Sequence, residues 1–161
     1  MRRHGLVIAS LALALGGCGS DDAADTKTAP AAAGNPAPAN LVGTYAMRLK
    51  PADLPSNPPR ELTEGSNRWK LKIANTGGPD GAPSFTISNA QLGVLESSRL
   101  STSGDRVLLH DEECAAGPPL VESAYRWSLS GKTLTLTTIK NGCKDGIAKT
   151  LLTAEPWTRG R

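Results

Sequence analysis

The stretch Ala124–Cys143, "AYRWSLSGKTLTLTTIKNGC", decides the fold. Tyr125, Trp127 and Leu129 alternate with Arg126, Ser128 and Ser130. Leu134 and Leu136 alternate in the same way with Thr133, Thr135 and Thr137. A period of two puts one set of side chains on each face of a strand, and Ser130-Gly131-Lys132 supplies a tight turn between the two runs. The stretch therefore predicts an antiparallel hairpin with one apolar face.

Working outward, the same alternation recurs. In "LVGTYAMRLK" (41–50), Tyr45, Met47 and Leu49 oppose Thr44, Arg48 and Lys50. In "NRWKLKIAN" (67–75), Trp69, Leu71 and Ile73 oppose Arg68, Lys70 and Lys72. "SFTIS" adds Phe85 and Ile87, and the runs Leu92 to Leu100 and "DRVLLH" (105–110) read as further strands. A last strand is expected at about 147–153, leading into "EPWTR". About eight strands with Gly, Pro, Asn and Asp between them predict an all-β antiparallel domain, a barrel or a small sandwich. Closure into a barrel removes the edges that invite aggregation.

Upstream, "MRRHGLVIASLALALGGC" has a basic start, an apolar run from Leu6 to Leu15 and small residues before Cys18. The run is too short for a mature membrane span and reads as a secretory leader. Leu15-Gly16-Gly17-Cys18 resembles the lipobox of bacterial lipoproteins. That resemblance implies cleavage before Cys18, acylation of its thiol and new amino group, and stable anchoring through several acyl chains. Residue 19 is Gly. It lacks the Asp that often retains such proteins in the inner membrane of a Gram-negative host, which points to the outer membrane in that case. The organisation expected is a leader at 1–17, an acylated Cys18 with an Ala/Pro-rich flexible tether at 18–40, and one domain at 41–161.

The formal charge of the chain is +3. Removing residues 1–17 takes away Arg2 and Arg3 and no acid, leaving +1. No cationic stripe interleaved with aromatics follows, so the pattern of a nucleic-acid binder is absent. Cys114 and Cys143 remain as an even pair in an exported domain. Their simplest use is a structural disulfide closing a loop of roughly thirty residues, contributing about 3 kcal/mol in the chain-entropy model. The spacing is neither Cys-x-x-Cys nor zinc-like.

Gly43-Thr44-Tyr45 near the first strand and Trp157-Thr158-Arg159 near the end are similar to the calycin pattern of lipocalins and fatty-acid-binding proteins. The resemblance implies a lipocalin-like barrel closed at its base by Gly43, Tyr45, Trp157 and Arg159, the late basic side chain packing on the early aromatic. The run Tyr125 to Thr137, followed by Cys143 and Pro156 to Arg159, looks like the ending of small secreted bacterial proteins described as lipocalin-like. It supports barrel and disulfide and implies no reaction, because fold does not fix function.

His110 is the one histidine after the leader, beside Asp111, Glu112 and Glu113. It reads either as a ligand or acid/base group or, more simply, as a solvated strand end, since a metal site needs several converging donors. No Gly-x-Ser-x-Gly elbow is present. Glu112 and Glu113, adjacent in a strand, point apart. The sequence thus predicts no catalytic residue, no metal and no cofactor. Tyr45, Trp69, Phe85, Tyr125 and Trp127 share inward faces, where they either line a pocket for a small apolar ligand or fill a narrow barrel. Arg48, Arg68, Lys70, Lys72 and Arg126 face outward. "CAAGPPLVES" (114–123) is apolar for a loop and is a candidate lid or partner-binding segment.

The function expected is a non-enzymatic, membrane-anchored barrel of the bacterial cell envelope that binds a small hydrophobic molecule or lipid. The alternative is an envelope structural protein or hydrolase inhibitor acting on a protein partner through exposed loops.

Overall fold

The computed structural model describes residues 35–78, 81–112, 121–142 and 147–160. They belong to one compact unit, Ala32–Arg161. Cys18, Cys114, Cys143, the leader and most of the tether lie outside the described residues.

Eight strands close into one antiparallel barrel in sequence order: β1 (Gly43–Arg48), β2 (Arg68–Ala74), β3 (Ser84–Asn89), β4 (Gly93–Ser103), β5 (Arg106–Glu112), β6 (Val121–Ser130), β7 (Thr133–Lys140) and β8 (Trp157–Arg159). Each pairs with its predecessor, and β8 returns to β1 through Tyr45↔Arg159 and Ala46↔Thr158. The hairpin that set the reading is β6–β7. Trp127 stands opposite Leu136, Leu129 opposite Leu134 and Ser130 opposite Thr133. Only Gly131 and Lys132 remain for the turn, and Gly131 takes φ +59°, which costs a residue without Cβ nothing. The β4–β5 hairpin repeats the device with Gly104, also at +59°.

The alternation of β1 and β2 survives intact. Tyr45, Met47, Trp69, Leu71 and Ile73 are buried, while Thr44, Arg48, Arg68, Lys70 and Lys72 are exposed. Facing in β4 and β5, left open by the sequence, is fixed by register. Leu100 sits opposite Leu109, and Thr102 opposite Val107; all four are buried.

One element differs in kind. Residues 147–153, expected as the last strand, form helix α2 (Ile147–Ala154). Leu151 and Leu152 are adjacent and both buried, as neighbours on the inner face of a helix can be. Ile147 with Leu151 and Ala148 with Leu152 are two i,i+4 pairs on one helical stripe, packed on the core. Burying each leucine contributes about 1.5–3 kcal/mol. The eighth strand is instead the short run Trp157–Arg159.

Two further features were not read from the sequence. A 3-10 turn (Pro51–Asp53) and helix α1 (Arg60–Glu64) fill the β1–β2 connection, α1 burying Leu62. Residues 35–40 also pack on the barrel. Ala37 is buried, Thr102 donates from its amide to the Asn35 carbonyl and from its hydroxyl to the Pro36 carbonyl, and Asn75 donates to the Ala37 carbonyl.

Candidate functional site

The inward aromatics meet in the barrel centre. Tyr45, Trp69, Phe85 and Tyr125 are each at most 1% exposed and share one cluster with Trp157, Leu71, Ile73 and Leu100. Trp127 also points inward but is half-buried, packed against the rim of that cluster. A narrow eight-stranded barrel filled in this way has side chains where a ligand would sit.

At the end of the barrel where β1 starts, the four residues named for closure come together. The Arg159 guanidinium lies 5.0 Å from the centroid of the Tyr45 ring and donates to the Tyr45 hydroxyl and to the Asn40 carbonyl. Trp157 is fully buried opposite Leu134. Gly43 leaves room for this arrangement: a Cβ there would stand 3.3 Å from Arg159 Nε.

The open space lies on the outer wall, at the other end of the β1–β8 seam, and the chain shows why. Ladder pairing between β1 and β8 stops at Ala46↔Thr158. Continuing that register would set Pro156 opposite Arg48, and proline has no N–H to offer a ladder. The seam parts there. The result is an open groove of about 980 Å³ reaching from the seam across the outer face of β1 and β2 to the β3–β4 turn. Ala46, Ala90 and Pro156 give it a small, apolar surface, edged by the core residues Met47 and Trp69, and Arg48, Lys50, Arg68 and Lys70 surround it.

Asn89, only 4% exposed, braces three residues that line the far end of the groove, Ser66, Arg68 and Gln91. It donates to the carbonyls of Ser66 and Arg68 at 2.6 and 3.2 Å and accepts from the Gln91 amide at 3.0 Å. On the seam side, Lys50 is hydrogen-bonded to Glu155, and that partner raises the lysine pKa above its ordinary value. Of the five cations expected to form an outer face, the structure groups Arg48, Arg68, Lys70 and Lys72 on β1–β2. Arg126 stands apart on β6, engaged by Asp105 at 2.9 Å.

His110 has partners that its sequence neighbours did not foretell. On the outer face of β4–β6, its Nε2 is 2.7 Å from Ser101 Oγ and its Nδ1 is 3.2 Å from Glu122 Oε2. The order serine, histidine, carboxylate is that of a hydrolytic relay. The surroundings do not suit that use. Ser101 is 6% exposed in mid-strand, and the amides on either side, Leu100 and Thr102, already donate to Pro83 and Asn35. They are not free to stabilise an oxyanion. Among the described residues, no group of three His, Cys, Asp or Glu side chains converges for a metal ion.

Sequence reading missed Ser101 and Glu122 because strand register, not proximity in the chain, brings them to His110. It missed the groove because one proline makes it, and "EPWTR" gives that proline no meaning until β8 is placed against β1.

Comparison with family models, curated proteins and solved structures finds no match for this chain, so its own geometry carries the functional reading.

Proposed function

We propose that the protein is a lipid-anchored, non-enzymatic barrel of the bacterial cell envelope that binds a small amphiphile or lipid, and that it does so on its outer wall rather than in its lumen. The observation that carries this reading is the contrast between a barrel centre filled by Tyr45, Trp69, Phe85 and Tyr125 and an open groove at the β1–β8 seam. The groove is of a size used for small-molecule binding and offers an apolar surface with a few polar groups at its margin. Anchoring through Cys18 and a Cys114–Cys143 bridge belong to the same proposal. They rest on the lipobox resemblance and on the even cysteine pair.

The test is native mass spectrometry of the full chain after incubation with an envelope lipid extract. A discrete added mass that disappears in Ala46→Trp, which fills the groove from an exposed strand position, is the expected result. An unliganded protein across several extracts would overturn the reading and favour a protein partner.

A further inference from the structure

The unpaired cations of the groove indicate what its ligand carries. Arg48 and Arg68 stand directly opposite each other on β1 and β2, both exposed. Like charges facing across a strand pair are destabilising. Lys70 and Lys72 extend the same face, opposite Ala46 and Thr44, so no outward residue of β1 answers them with a carboxylate.

The sheet holds a second like-charge pair, Arg106 opposite Arg126, and there the protein supplies its own counter-ion: Asp105 closes on Arg126. Elsewhere Lys140 approaches Glu122, and Arg60 approaches Glu64. Within the groove the one acid is Glu155, and Lys50 already engages it. Among the described residues, Arg48, Arg68, Lys70 and Lys72 have no ion-pair partner. Two arginines directly opposite on paired strands can turn planar forks to one phosphate, and Lys70, on the same face, can add a point charge.

We propose that the groove binds an amphiphile whose phosphate-ester headgroup carries a net negative charge, the phosphate lying between Arg48 and Arg68 and the acyl portion along Ala46, Ala90 and Pro156. This rests on the proposed outer-wall binding reading and narrows it to anionic lipids. The missing counter-ion is then the ligand itself.

The experiment is isothermal titration calorimetry of the full chain carrying Cys18→Ser, so that no attached acyl group competes. The titrants are dihexanoyl phosphatidylglycerol below its micelle concentration, dihexanoyl phosphatidylcholine and glycerol phosphate. The anionic lipid is expected to bind roughly tenfold or more tightly than the zwitterionic one, as charge-assisted pairing requires. That preference should shrink with added salt and vanish in Arg48→Gln/Arg68→Gln. Equal affinity for the two lipids would leave groove binding standing and overturn the headgroup assignment. Glycerol phosphate binding as well as the anionic lipid would make this a plain anion site and overturn the lipid class. Binding of neither lipid would overturn both readings.

Discussion

The hydroxyl of Tyr45 accepts a hydrogen bond from Arg159 Nη2 and donates one to the Leu41 carbonyl at 2.7 Å, so first and last strands and the segment before them meet on one oxygen. Tyr45→Phe keeps the ring under the guanidinium and removes both hydrogen bonds. A loss of about 1–3 kcal/mol in urea unfolding is expected, because the Leu41 carbonyl in the core loses its donor and the half-buried Arg159 loses one acceptor. Gly43→Ala should be destabilising by a different route. Its new Cβ presses on Arg159 Nε at 3.3 Å and moves the guanidinium off the ring, so the cost should shrink in an Arg159→Ala background.

Arg68→Glu separates stability from binding. It replaces a like-charge pair opposite Arg48 with an opposite-charge one, and cross-strand pairs of this kind differ by about 0.2–1 kcal/mol. The variant should be slightly more stable at low salt in thermal unfolding, and it should lose affinity for an anionic lipid. A variant that was less stable would show that the pair is already compensated in the native protein.

The Lys50–Glu155 contact gives a pH signature. Its hydrogen bond and charge raise the Lys50 pKa above 10.5, so the folded state holds this proton more tightly than the unfolded chain does. The contribution is therefore fully present below the ordinary lysine pKa and is lost as pH rises through the raised folded value. Glu155→Gln should lower the urea midpoint at neutral pH, and the gap from the wild type should close in strongly alkaline buffer.

Asn89 supports the groove from within. Asn89→Ala leaves the Ser66 carbonyl without its side-chain donor, the Arg68 carbonyl with only the Ser66 hydroxyl, and the Gln91 amide without its acceptor. A loss of roughly 1–3 kcal/mol is expected. Amide chemical-shift changes should concentrate at residues 65–69 and 89–93.

The Ser101–His110–Glu122 relay should be chemically silent. A fluorophosphonate probe is expected to leave Ser101 unmodified, since the hydroxyl is buried and the flanking amides are committed. Labelling of Ser101 that required His110 would overturn the non-enzymatic reading.

Much of the barrel was legible in the sequence because a strand with one buried face writes its geometry into every second residue. Tyr45, Met47, Trp69, Leu71, Ile73, Leu134 and Leu136 declared their side of the sheet in this way. Glycine punctuation placed the β6–β7 turn for an equally local reason. Residues 147–153 depart from the expectation of one more strand, because Ile147 with Leu151 and Ala148 with Leu152 form a helical stripe. What no local pattern could supply was register and closure. The interior is filled because opposite walls bring their large side chains to one axis. Arg48 faces Arg68, and Ser101 reaches His110, only because hydrogen-bonded ladders slide distant segments into those alignments. The groove exists because β8 must close on β1 and Pro156 cannot continue the ladder. In β1, β2, β6 and β7 the sequence by itself determined which face would be wet and which dry; the tertiary structure decided the facing of β4 and β5 and which wet residues share a wall, because that depends on pairings between strands far apart in the chain.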